Sequence, residues 1–417
     1  MSLRGGGRLV LVCGRDPLRT SGGTESYAVG QAKAAILAGY EPHLFSIAPR
    51  SAVLDTDFGF LHRVPSPVRP PRSITSVLQR PWLVPAIVRF LDGQVGAHVI
   101  HGFGAWADTV VAATRRLRDR GVRVAPVATV FMAIEDETSA KLTSTIVQDR
   151  PPWLGLHRLE LAWVRHVTRL VESRAYHQLP AVVVNYESVR IALERAYGPG
   201  LPIRRLTYSP PTAFRDPPGP APLPEPLRGF GDPAAPLIVS VSRHDGRKGM
   251  DVLIKALVGL RDTGVAFRAC LIGPGLLLAT HRRVIRSLGL DSRVLVPGRV
   301  PEVMPYLLNA DVYVLPSRQE GSGSVAVLEA LQAGSAIVAS RIDGIPEDLR
   351  HGHDALLVTP GDAVALQDAI SRLISDPVLR AGVRQRARET YESRFAAPVT
   401  ARELASLYTE LGLPAES

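Results

Sequence analysis

The chain has 417 residues, 46% of them apolar and 21% charged, a balance that excludes a disordered chain and is long enough for two or three domains. Its two cysteines, Cys13 and Cys270, each lie in an apolar run, which excludes a disulfide framework and a thiolate zinc site. The formal charge of +10 is one-sided: residues 1–212 hold 26 basic against 16 acidic residues and residues 213–417 hold 23 of each, so an anionic partner is expected for the first half.

In chain order, residues 9–13 read as a buried parallel strand. A glycine loop with Gly22 and Gly23 follows, then a helix over about 25–38, ended by Gly39. Strands are expected at 43–47, at 99–100 ending on His101, at 124–130 and at 181–184. Ten prolines crowd 210–236 and read as a linker. The alternation then restarts with strands at 237–242, 267–272, 294–296, 312–315, 336–339 and 356–358. Helices are expected at 250–261, 325–332 and 364–375, and a final one at about 398–412. Strands alternating with helices predict two Rossmann-like, doubly wound parallel-sheet α/β domains facing a cleft. The divisions are 1–212, joined by the C-terminal helix at about 398–417, and 213–397.

Absent motifs narrow the chemistry. No G-x-x-x-x-G-K-[ST] and no helix-opening G-x-G-x-x-G occurs, which speaks against a P-loop nucleotidase and a dinucleotide dehydrogenase. No His/Cys cluster suggests a metal, and the D-x-D of Asp55 and Asp57 reads as a surface loop. Three features remain. Arg243 and Lys248 follow a strand, where a planar fork and a point charge suit a diphosphate. In 316–329 a strand ends, a Gly/Ser loop turns and a helix opens, so the amides of Ser322, Gly323, Ser324 and Val325 favour an anion. Glu329, on that helix, suits ribose hydroxyls.

These residues, in order, resemble the retaining glycosyltransferases of the GT-B fold, family four. The likeness rests on Gly22-Gly23, Arg243 with Lys248-Gly249, Gly273-Pro274-Gly275, Asn309-Ala310-Asp311-Val312, Pro316-Ser317, Glu320, Glu329-Ala330, Gly334, Gly344-Ile345-Pro346-Glu347 and Pro360-Gly361-Asp362. The resemblance implies that Arg243 and Lys248 bind the donor diphosphate, and that Glu329 holds the ribose. The backbone near Val300 would meet the base, and Glu320 the transferred sugar. The 322–325 amides would surround the phosphates, with Gly22, Gly23 and Gly273 in the same donor set. His101, Arg243, Lys248 and Glu320 are the implied catalytic residues, and the C-terminal helix is implied to cross back to the first domain. Three departures stand out. Eight residues separate Glu320 from Glu329 where the family has seven. His101 is followed by Gly102 and Phe103, so only the first of two family histidines is matched. Ser209-Pro210-Pro211 replaces the usual N-G before the linker.

The reading is a retaining, metal-independent transferase that moves a hexose-type sugar from a UDP- or GDP-sugar to an acceptor hydroxyl. It uses no cofactor, since the nucleotide sugar is a substrate. The alternatives are a nucleotide-sugar epimerase of similar fold and a non-catalytic nucleotide-sugar-binding protein. No membrane span and no signal segment is visible, so a cytoplasmic protein is expected. No nucleic-acid partner is expected. Residues 58–91 carry Arg63, Arg69, Arg72, Arg80 and Arg89, no acid, and apolar residues such as Trp82. They suggest contact with an anionic acceptor (lipid, glycan or natural product) or with the inner membrane face. Pro81 and Pro85 predict two short helical pieces there rather than one helix.

Overall fold

The computed structural model describes residues 7–19, 23–67, 75–133, 162–214 and 221–415. Their contacts divide at Phe214 and Phe395, and the segment from Ala396 onward belongs with the first unit.

The first unit holds an eight-stranded sheet in the order β3-β4-β2-β1-β5-β6-β7-β8. Its strands are β1 Leu9–Arg15, β2 Pro42–Ala48, β3 Ala52–Thr56, β4 Gly59–Pro65, β5 Ala97–Phe103, β6 Arg123–Thr129, β7 Ala181–Val184 and β8 Ile203–Arg205. All pairings are parallel except β3 with β4, an edge hairpin. The D-x-D falls there, with Asp55 in β3 and Asp57 in the turn, paired to Lys33 at 2.6 Å. The helices are α1 Gly23–Leu37, α2 Thr75–Leu91, α3 Ala107–Arg118, α4 Arg169–Tyr176 and α5 Glu187–Tyr197.

The arginine-rich stretch is a correction. Helix α2 runs unbroken through Pro81 and Pro85. Leu83, Ile87 and Leu91, with Val84 and Val88, recur at helical spacing and are buried in the core with Val10, Val12 and Ile100. Packing along this face outweighs the hydrogen bonds that two prolines remove, because both prolines lie off it, Pro81 exposed and Pro85 half-buried. Trp82 also packs against that core and is no apolar wedge. Arg63 is held by the buried Asp16 at 2.7 Å, and Arg80 lies 3.5 Å from the buried Asp108. Arg69 and Arg72 lie outside the described residues.

The second unit is built on the order β11-β10-β9-β12-β13-β14, all parallel. The strands are β9 Leu237–Val241, β10 Arg268–Ile272, β11 Val294–Gly298, β12 Val312–Leu315, β13 Ala336–Ser340 and β14 Ala355–Val358. Near-continuous apolar strands are what a sheet covered on both faces requires. Helices α6 Met250–Asp262, α7 Leu278–Ser287, α8 Met304–Leu308, α9 Val325–Gln332, α10 Ile345–Asp348, α11 Ala363–Ser375 and α12 Pro377–Arg394 complete the unit. Its core gathers Leu253, Leu257, Leu271, Val314, Val338 and Ile370. In the proline-rich stretch, 3-10 turns form at Pro211–Phe214 and Glu225–Leu227.

The C-terminal helix, Ala397–Glu410, packs on α1 of the first unit. Glu403 accepts hydrogen bonds from the Thr207 amide and hydroxyl, both at 2.7 Å, and Tyr40 donates to the Leu413 carbonyl at 2.9 Å. Among the described residues no helix is long and apolar enough to cross a membrane.

Candidate donor-binding site

In a doubly wound sheet, ligands sit outside the carboxyl ends of the strands where the strand order reverses. In the second unit that point lies between β9 and β12, with successive strands running outward on either side. The loop after β9 carries Arg243 and Lys248. The loop after β12 carries Glu320 and leads into α9.

The two loops are stitched together by the backbone. Gly249 is left-handed, with φ 62°, and a Cβ there would lie 2.0 Å from the Pro316 carbonyl oxygen, so only glycine fits. The amides of Arg318 and Gln319 donate to the Arg247 carbonyl at 2.7 and 3.1 Å. Arg318 forks onto both carboxylate oxygens of Asp251, at 2.6 and 2.7 Å. Gly273, at the end of β10, serves the same tight approach, since its Cβ would meet the Ser242 carbonyl oxygen at 2.0 Å.

This stitching brings Lys248 Nζ to 2.5 Å from Glu320 Oε2. The second carboxylate oxygen of Glu320 accepts from the Ser317 hydroxyl at 2.5 Å. The Glu320 side chain is 3% exposed and that of Lys248 is 15% exposed, so the pair is largely withdrawn from water. Arg243 is half exposed and pairs with Asp245 at 3.1 Å. Asp245 also accepts from the Arg247 amide and opens the short turn that ends on Lys248.

Helix α9 begins after Ser324, whose carbonyl accepts from the Val327 and Leu328 amides at 3.0 and 3.2 Å. The Ser324 side chain makes no cap. The first amides of the helix have no partner within it, as at any helix start, and this suits an anion. Gly321 needs its glycine, with φ 87°, while Gly323 lies outside the left-handed region. Glu329 is half-buried on the second turn of α9. Val300 follows the end of β11 and is half-buried.

Three expected site residues, His101, Gly22 and Gly23, come from the first half of the chain. His101 is a correction, because it is fully buried in the first unit. Its Nε2 bonds the Thr129 hydroxyl at 2.7 Å and its Nδ1 the Tyr408 hydroxyl at 2.9 Å, so neither nitrogen is left for a substrate. Burial pushes its pKa down to about 3, and it serves to tie the C-terminal helix to β5 and β6. Gly22 lies outside the described residues. Gly23 opens α1, and a Cβ there would meet nothing within 4 Å.

Sequence reasoning missed Asp343, in the loop after β13. Its carboxylate accepts the amides of Glu320 and Gly321, each at 2.6 Å. It also missed Asp251 and the pair His244 and His281, whose buried rings meet Nδ1 to Nδ1 at 2.8 Å behind the Arg243 loop. Burial and the neighbouring His281 push His244 down to about 4. No residue pattern announced Asp343: its left-handed backbone, one residue before the Gly344 motif, exists only in the folded chain.

The family model for glycosyl transferases of group 1 matches residues 235–376, which run from β9 to the end of α11. The chain is 39% identical over 190 residues to the putative colanic acid biosynthesis glycosyltransferase WcaL of Escherichia coli (strain K12), a match covering 43% of this chain and 46% of that protein. The chain thus spans about half the length of that relative. Among solved structures it is similar to sucrose-phosphate synthase from Thermosynechococcus elongatus, with a TM-score of 0.73 and 21% identity over 97% of this chain and 99% of that one. It is also similar to Anabaena Alr3699/HepE in complex with UDP-glucose, with a TM-score of 0.69 and 17% identity over 97% and 99%. The resemblance read from the ordered motifs is therefore borne out: residues 235–376 match the model for glycosyl transferases of group 1, and the two α/β units share the GT-B kind of fold with these solved structures.

Proposed function

We propose that this protein transfers a hexose-type sugar from a nucleoside-diphosphate donor to an acceptor hydroxyl, with retention of configuration and without a divalent metal. The observation that carries the reading is the contact of Lys248 with Glu320 at the switch point of the second sheet, directly before the amide-bearing start of α9. Lys248 and Arg243 compensate the charge that the diphosphate gains as the glycosidic bond breaks, and the helix-terminal amides add fixed dipoles. Glu320 accepts hydroxyls of the sugar. Its contact with Lys248 supports this reading, since a sugar and its diphosphate are neighbours in one donor molecule. Glu329 accepts the ribose hydroxyls.

The departing phosphate oxygen takes the proton of the acceptor hydroxyl while the new bond forms on the same face. Neither a protein nucleophile nor a metal is required for that step. The nucleotide is UDP or GDP. The acceptor is assigned to the first unit, whose basic excess suits an anionic glycan, lipid or natural product.

The test is product analysis by NMR after incubation with UDP- and GDP-sugars and a panel of anionic acceptors, with and without EDTA. A product of retained configuration formed in EDTA is expected. Strict metal dependence or an inverted anomer refutes the mechanism. Binding without turnover on any acceptor favours the non-catalytic alternative, and interconversion of the free donor favours the epimerase.

A further inference from the structure

The extra residue between Glu320 and Glu329 raises the question of what keeps Glu320 in place. The loop after β12 is long for its task and contains Gly321 and Gly323, which do not restrain it. Its hold comes from the loop after β13. Asp343 accepts the amides of Glu320 and Gly321 at 2.6 Å each, and the Gly344 amide donates to the Ser322 carbonyl at 2.9 Å. To do this Asp343 sits at φ 48°, and it is the one non-glycine residue in the left-handed region among the described residues. Such a conformation is kept only where the surroundings enforce it.

We propose that Asp343 is a positioning residue for the donor site: its carboxylate clamps the backbone of Glu320 and Gly321 so that the Glu320 carboxylate stays against Lys248. The inference rests on the donor-site reading above. Both amides converge on one oxygen, Oδ2 of Asp343, and these two charge-assisted hydrogen bonds hold consecutive backbone groups against a single point. With the Glu320 backbone fixed, its side chain reaches Ser317 and Lys248 together. Release the clamp and the Gly/Ser loop has room to shift, and a shift near 1 Å at a reacting group costs up to about a hundredfold in rate.

The clamp and the fold make opposite demands at this position, which supplies the test. Asp343→Gly removes the clamp and relieves the left-handed strain. Asp343→Asn tolerates the same φ and keeps an acceptor oxygen, but without charge. The expected result for Asp343→Gly is a melting temperature within a few degrees of wild type, UDP or GDP affinity within about threefold, and a kcat for sugar transfer about ten- to a hundredfold lower. Asp343→Asn should recover part of that kcat. Wild-type kcat in Asp343→Gly overturns the inference. Parallel loss of melting temperature and nucleotide affinity also overturns it, since Asp343 would then support only the fold.

A second measurement needs no turnover. Thermal unfolding of Asp343→Gly, Lys248→Met and the double variant should give non-additive shifts, because the clamp and the ion pair act through the same glutamate. If the wild type transfers no sugar from any donor, the proposed function fails while non-additive shifts still support the positioning role. Additive shifts reject the positioning role whatever the wild-type activity.

Discussion

The ion pair of Lys248 and Glu320 makes Lys248→Ala more than a loss of function. Donor binding alone predicts a lost diphosphate contact with the fold untouched. The structure predicts otherwise, since Glu320 is 3% exposed and one of its oxygens depends on Lys248 at 2.5 Å. Removing one member of such a pair strands a buried charge, at a cost of about 3–5 kcal/mol. For a unit of this size that lowers the melting temperature by roughly 6–20 °C. The reverse change should be milder. In Glu320→Gln the Lys248 ammonium, 15% exposed, can turn toward water, and Ser317 keeps a partner. Lys248→Met with Glu320→Gln removes both charges and should melt within a few degrees of wild type, yet stay inactive. The assay is thermal unfolding of the four proteins beside initial transfer rates. If Lys248→Ala melts with the wild type, or the double variant melts no higher than Lys248→Ala, the reasoning about a withdrawn ion pair is refuted.

Arg243→Ala should separate the two effects, because its half-exposed side chain supports only Asp245. Its rate should fall on the order of a hundredfold while stability, followed by urea unfolding, moves by less than about 0.5 kcal/mol. Glu329→Gln should weaken binding of free UDP or GDP in calorimetry, whereas Glu320→Gln should spare it and lower sugar transfer; equal losses would reject the division of roles. Stability should also fall with acid. Burial holds His43 and His101 down to about 3 and His244 to about 4, so between pH 6.5 and those values the unfolded chain binds more protons than the fold. The contribution is complete above pH 6.5 and is lost as pH falls, at up to about 1.4 kcal/mol per pH unit for each ring. Urea midpoints from pH 7.5 to 4.5 check this, and a flat profile between 6.5 and 5 would contradict it.

The sequence by itself determined the elements that depend on near neighbours. Ala181–Val184 and Val312–Leu315 stand where their apolar runs place them, and Val325–Gln332 where its apolar run and Gly334 place it. Lys248 was also legible as a donor-site candidate, because a cation placed after an apolar run suits a phosphate, while Glu320 entered only through the family resemblance. Tertiary structure alone decided the rest. That β9 and β12 flank the reversal of strand order, and so bring Lys248 to Glu320 across 72 residues, depends on how six strands share one sheet. The Arg318 and Asp251 fork and the Asp343 clamp join residues 67, 23 and 22 apart, with no spacing rule to announce them. His101 ends a strand where the resemblance implied a catalytic residue, but Thr129 and Tyr408, 28 and 307 residues away, enclose it and occupy both nitrogens. Pro81 and Pro85 forbade a helix locally, and the burial of Leu83, Val84, Ile87, Val88 and Leu91 overrode them. In each case a short-range preference worth a few kcal/mol met packing or desolvation of equal or larger size, and only the folded neighbourhood fixes which one prevails.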